Sequence, residues 1–99
     1  MATLTIDLQE GFANETIVLR ANGAEVFKKE SVSTKLLFGF AESISIEIAE
    51  SIVRVEIEAL QSGLEKSVSL EAENDVYLGF SIVAGGIEHI VADRPFGYG

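Results

Sequence analysis

The sequence contains no cysteine, no tryptophan, a single proline and a single histidine. Without cysteine the chain forms neither a disulfide nor a thiolate metal site. One histidine is too few for a metal centre built from several imidazoles. Carbohydrate sites commonly use flat aromatic platforms, so the lack of tryptophan also disfavours a sugar-binding module. We therefore predict a domain without a cofactor.

Basic residues are also scarce, because seven Lys and Arg stand against 16 Asp and Glu and give a net charge of −9. A surface of this sign repels phosphate groups, and the sequence holds no basic cluster to offset it. Nucleic acid and anionic membranes are therefore disfavoured as partners. The imbalance is concentrated in residues 42–75, which hold nine acidic and two basic residues.

Long apolar runs are missing as well, since no stretch approaches the ~18 residues of a membrane span. The segment Met1–Asp7 has neither the basic nor the apolar region of a secretory signal, so we expect a cytoplasmic protein. The hydrophobic fraction of 47% is nevertheless too high for a disordered chain. With 99 residues, the chain is expected to form one small domain over its whole length, 1–99.

The dominant pattern in the sequence is a period-two alternation of apolar and polar residues, which is typical of half-buried strands. We predict an all-β fold, a two-sheet antiparallel sandwich of seven to eight short strands, immunoglobulin-like or prealbumin-like, with a barrel as the less favoured alternative. The segment 35–41 is either a short extra strand or a crossover. The predicted strands cover residues 2–9, 15–21, 24–30, 42–49, 52–60, 65–72, 76–84 and 87–93.

Two dipeptides predict hairpin turns. Asn22-Gly23 is typical of a type I′ turn, because both residues tolerate a positive φ. Gly85-Gly86 is the corresponding signal between the last two strands, and it places His89 opposite Ile82 on the face of Phe80. The first turn predicts the cross-strand pairs Ala21 with Ala24, Arg20 with Glu25, and Leu19 with Val26.

A third hairpin is predicted around Glu50-Ser51, because this register puts six apolar residues on one face. The other face would then oppose Glu47 to Arg54, a favourable charge pair. The predicted pairs are Ile48 with Val53, Ile46 with Val55, Ile44 with Ile57, Ser45 with Glu56, and Ser43 with Glu58.

Part of this pattern resembles prealbumin-like and carboxypeptidase-regulatory-type sandwich modules. The resemblance covers about 35 of the 99 residues and involves turn and core positions: Asn22-Gly23, Val26, Thr34, Gly39-Phe40-Ala41 and Val53–Ile57. Such modules are mostly accessory binding or structural domains. The resemblance therefore implies a sandwich fold and no catalytic residues.

Each residue that could take part in catalysis or metal binding also has an ordinary structural explanation. His89 is expected to be a neutral, hydrogen-bonded core residue. No Gly-x-Ser-x-Gly elbow accompanies the serines, so a Ser-His-Asp triad is not predicted and we expect a non-enzymatic protein. Acidic side chains could hold Ca²⁺ at a face or at the Glu71-x-Glu73-x-Asp75 turn. The favoured interpretation is that they keep solvated faces and edges from aggregating, as at Glu47, Glu56, Glu58 and Glu71.

Apolar residues on the presumed outer faces are the remaining anomaly, since a two-layer sandwich buries one face of each sheet. They indicate either a contact surface or cover by the loop 31–41 or by the C-terminal tail. We therefore expect a non-enzymatic module that binds a protein partner or itself through a sheet face or edge. A carbohydrate- or Ca²⁺-binding module is the alternative. The candidate surface residues are Val18, Phe27, Tyr77, Val83, Ile90, Phe96 and Tyr98.

Overall fold

The computed structural model describes residues 2–35 and 39–97 and contains eight strands, as the alternation predicts. The strands form two four-stranded sheets that pack face to face, so the predicted all-β two-sheet sandwich is confirmed. The strands are β1 (Ala2–Leu8), β2 (Glu15–Ala21), β3 (Ala24–Val32), β4 (Glu42–Ile48), β5 (Ile52–Ala59), β6 (Leu64–Glu71), β7 (Val76–Val83) and β8 (Gly86–Ala92).

Sheet I has the strand order β4-β1-β7-β8, and sheet II has the order β3-β2-β5-β6. Every strand pair is antiparallel except β1 with β7, which run parallel. The prediction of a wholly antiparallel sandwich is wrong at this pair. The chain reaches β7 from β6 in the other sheet, so no tight turn constrains β7 to run against β1.

The core lies between the sheets and is formed by the inward residues of the alternating strands. Leu4 and Ile6 from sheet I and Val55 and Ile57 from sheet II are fully buried. Phe80 is the largest of the fully buried side chains. These core residues therefore lie on the strand faces that the period-two pattern assigns to them.

The hairpin predicted around Glu50-Ser51 is absent. Strand β4 pairs with β1, so that Ile46 lies opposite Leu4, and β5 pairs with β2 and β6. The short segment 49–51 carries the chain from sheet I to sheet II. Consequently Ile46 and Val55 are not cross-strand partners, and Glu47 does not oppose Arg54. The residues predicted to face inward do so in both strands, because each strand turns its apolar side to the core whichever strand it pairs with.

The first hairpin forms as predicted near its turn and differs further along. Asn22 and Gly23 have φ values of 50° and 85°, as a type I′ turn requires, and Arg20 pairs with Glu25. A bulge between Leu19 and Arg20 then pairs Leu19 with Phe27 instead of Val26. The extra residue in β3 shifts its register by one position.

The loop between β1 and β2 leads from sheet I to sheet II and is anchored on β7 of sheet I. Gln9 donates from its N–H to the carbonyl of Phe80 at 2.7 Å, and Glu10 accepts from the N–H of Ile82 at 2.9 Å. The next residue, Gly11, has a φ of 84° and packs directly on β7. A Cβ at Gly11 would lie 1.9 Å from the carbonyl oxygen of Ile82.

Replacing Gly11 by alanine should therefore destabilise the fold far more than the same change at Gly23. Both glycines have positive φ, but a Cβ at Gly23 meets nothing within 4 Å. We expect Gly23→Ala to cost about 1 kcal/mol, the usual cost of a left-handed alanine. Gly11→Ala should cost about 3 kcal/mol or more, because β7 must move as well. Urea unfolding of both variants measures the difference, and equal costs would contradict the close contact.

Candidate interaction surface

The last hairpin carries the most concentrated exposed apolar surface in the described part of the chain. Five large apolar side chains are exposed among the described residues. Three of them belong to this hairpin: Val83 at 44%, Ile90 at 54% and Val91 at 45%. Strand β8 pairs with β7 and lies at the edge of sheet I. The apolar side chains therefore coincide with an edge strand whose outer side has no strand beside it.

The backbone of β8 presents alternate residues to this open edge. Val83 pairs with Gly86 across the two-residue turn Ala84-Gly85. The pair that flanks such a turn is hydrogen-bonded, and bonded and non-bonded pairs then alternate. Ile87, His89 and Val91 consequently turn their N–H and C=O groups away from β7. In agreement, Lys66 of β6 donates from Nζ to the carbonyl oxygen of Ile87 at 3.2 Å.

The position of His89 differs from the prediction. The turn is Ala84-Gly85, one residue earlier than predicted, because Ala84 adopts a φ of 50°. His89 therefore lies opposite Phe80 instead of Ile82, and it is exposed. The histidine is still on the Phe80 side of the sheet, but at the edge strand the facing sheet covers Ile87 and leaves His89 in solvent. The core role predicted for His89 is wrong.

The first hairpin does not expose the two apolar residues predicted there. Val18 is on the outer face but only 4% exposed, since Lys28 and Glu58 are its cross-strand neighbours and long stems of this kind cover apolar groups. Phe27 packs against the core, because the bulge pairs it with Leu19. These two side chains therefore do not form an exposed contact surface.

The C-terminal segment and the β3–β4 connection cover part of the outer face of sheet I, as one of the two alternatives predicts. Pro95 and Phe96 lie with Tyr77 and Phe40 around a cleft of about 220 Å³. Tyr77 and Phe96 are half-buried there. Phe40 belongs to the predicted segment 35–41, where Lys35 and Phe40 form an isolated bridge; residues 36–38 and Tyr98 lie outside the described residues. The floor of the cleft is formed by Thr5, Asp7 and Ser43.

The acidic residues are distributed over both sheets. Glu47 lies in sheet I, whereas Glu56, Glu58 and Glu71 lie in sheet II. Glu58 forms an ion pair with Arg20. The hydrogen bond from Arg20 to Glu58 raises the pKa of the guanidinium above its already high value, so Arg20 stays charged.

The turn Glu71-x-Glu73-x-Asp75, considered as a Ca²⁺ site, is hydrogen-bonded to strand β1. Asp75 Oδ1 accepts a hydrogen bond from the N–H of Thr3 at 3.0 Å, which ties the β6–β7 connection to the start of β1. Within residues 2–35 and 39–97, no group of three or more histidine or acidic side chains is placed to hold a metal ion. The same residues include no helix long and apolar enough to cross a membrane.

Two features of this surface were not predicted from the sequence. Val91 was assigned to the core face of β8, and only the position of β8 at the sheet edge exposes it. Asp7 reads as an ordinary outward residue of an alternating strand, yet it is 6% exposed. Its burial depends on side chains distant in sequence, so no local signal could have indicated it.

Comparison with known proteins adds no relative, since no family model, no curated protein and no solved structure matches this chain. The resemblance to prealbumin-like modules stays a prediction. The features of the sandwich that bear on function are the open edge of β8, the apolar side chains beside it and the covered face of sheet I.

The two candidate hairpins can be distinguished by one pair of substitutions. Val18→Ser places a hydroxyl at a buried position and should lower the free energy of unfolding by about 1–3 kcal/mol. Ile90→Ser changes a side chain that is 54% exposed and should alter it by less than about 0.5 kcal/mol. Urea denaturation monitored by circular dichroism gives both values. A large cost at Ile90 with none at Val18 would reverse the assignment of covered and exposed residues.

Proposed function

We propose that this domain is a non-enzymatic interaction module that binds a protein, either a partner or a second copy of itself, by adding a strand to the open edge of β8. The observation that carries the proposal is the coincidence of Ile90 and Val91, both about half exposed, with an unpaired sheet edge. Strand addition gives affinity through backbone hydrogen bonds and specificity through alternate side chains.

The charge on the edge strands favours β8 over the other three. Charged residues on an edge strand oppose uncontrolled pairing. Strand β3 carries four charged residues, β6 carries three and β4 carries two, whereas Glu88 is the one Asp, Glu, Lys or Arg in β8. The edge of β8 is therefore the one least protected against an incoming strand.

The outward-facing groups of β8 also define the register that a partner strand would adopt. Three residues, Ile87, His89 and Val91, offer donors and acceptors at alternate positions over the length of the strand. Lys66 occupies the carbonyl of Ile87 from the neighbouring sheet and would be displaced by a partner strand at that end. The apolar residues Ile90 and Val91 would then be covered on the two faces of the extended sheet.

A proline at His89 tests strand addition without disturbing the β7–β8 pair. His89→Pro removes an N–H that faces the open edge, whereas His89→Ala keeps it and serves as the control. The probes are the chain itself, followed by sedimentation equilibrium up to about 1 mM, and peptides selected from a random displayed library. We expect binding that shifts the NMR signals of the Ile87, His89 and Val91 amides, that persists in His89→Ala and that is lost in His89→Pro.

Two results would count against strand addition at β8. A chain that stays monomeric over the whole concentration range, with selected peptides binding away from β8, would reject the proposal. Retention of binding in His89→Pro would reject the backbone mechanism. Thermal unfolding of both variants confirms that each remains folded, since neither substitution removes a hydrogen bond between β7 and β8.

A further inference from the structure

The cleft on the outer face of sheet I combines a buried carboxylate with aromatic walls. It lies on the opposite side of the sheet from the core, above β4, β1 and β7. Its volume is about 220 Å³, smaller than the ~300–1,000 Å³ of pockets that enclose a drug-sized ligand. A cleft of this size can accept one functional group of a molecule.

The carboxylate at the floor belongs to Asp7, in the central strand β1. Asp7 is 6% exposed, and Ser43 of the neighbouring strand donates from Oγ to Asp7 Oδ1 at 2.7 Å. On its other side Asp7 pairs with Gly79, and the side chain of Gln9 lies over this glycine, 2.7 Å from where a Cβ would be. The hydroxyl and the rigid strand hold this oxygen at the base of the cleft, and so the negative charge is preorganised.

The walls are contributed by three separate segments of the chain. Phe40 comes from the β3–β4 connection, Tyr77 from β7, and Pro95 with Phe96 from the segment after β8. Aromatic faces attract cations through the ring quadrupole, and several rings around one point form the kind of cage that recognises quaternary ammonium groups. The apolar walls disfavour a strongly hydrated cation, since its water shell would have to be removed.

We propose that this cleft binds a quaternary ammonium group, with Asp7 supplying the opposite charge and Phe40, Tyr77 and Phe96 supplying the aromatic cage. The size of the cleft, its charge and its apolar walls all fit a compact, weakly hydrated cation. The net charge of −9 adds a long-range attraction for cations of any kind. This site does not depend on strand addition at β8.

The test compares choline chloride with its neutral isostere 3,3-dimethylbutan-1-ol in NMR titrations of the whole chain. We expect choline to shift the signals of Asp7, Phe40, Tyr77 and Phe96, and the neutral isostere to bind at least about tenfold more weakly. A peptide containing Nε-trimethyllysine, titrated in parallel, shows whether a free compound or a protein side chain binds more tightly.

Two variants examine the two parts of the site separately. Asp7→Asn removes the charge and Phe96→Leu removes one ring while keeping an apolar side chain; each should weaken choline binding about tenfold or more. Glu65→Gln lowers the acidic charge equally on the exposed surface of sheet II and should leave binding unchanged. Thermal unfolding establishes that each variant is folded.

Three outcomes would overturn the proposal. Equal binding of choline and its neutral isostere would show an apolar cleft without cation selectivity. Choline shifts confined to the acidic surface and weakened equally by Glu65→Gln would show general charge attraction. Unchanged choline binding in folded Phe96→Leu would exclude the aromatic cage, even if Asp7→Asn does not fold.

Discussion

The burial of two apolar sheet faces against each other is the constraint on which the rest of this structure depends. Each strand has one apolar side, and neither sheet has an apolar partner except the other sheet. Leu4 and Ile6 are fully buried because Val55, Ile57 and their neighbours cover them. Four of the seven connections therefore cross between the sheets, and the close contact of Gly11 with β7 shows how tightly one of them is packed.

This arrangement leaves edges and outer faces as the surfaces available for function. The open edge of β8 and the cleft at Asp7 both lie on sheet I, and they differ in chemistry. The edge of β8 offers backbone groups flanked by Ile90 and Val91, which suit another polypeptide strand. The outer face offers a buried carboxylate, Asp7, within aromatic walls, which suits a compact cation. A rigid two-layer core can hold both, because neither interferes with the packing between the sheets.

The sequence predicts which side of each strand is buried, because alternation is a local property. It does not predict which strands are neighbours. Ile46 opposite Leu4 and Ile46 opposite Val55 are equally favourable apolar pairs, so the pattern of β4 and β5 suits a hairpin and a crossing alike. The bulge beside Leu19 and the positive φ of Ala84 shift the two hairpins by one residue. The burial of Asp7 depends on contacts between segments that are distant in sequence, and no local sequence pattern indicates such contacts.

Cysteine pairs provide the most direct test of the crossing between β4 and β5, since the chain has no cysteine of its own. Thr5 and Ser45 are cross-strand partners whose hydroxyl oxygens lie 3.1 Å apart, close enough for a disulfide after substitution. The double variant Thr5→Cys/Ser45→Cys should oxidise completely, as non-reducing electrophoresis and intact mass would show. The variant Ser45→Cys/Glu56→Cys should not, because its two positions lie in different sheets. Rapid disulfide formation in the second variant and none in the first would contradict the sandwich described here.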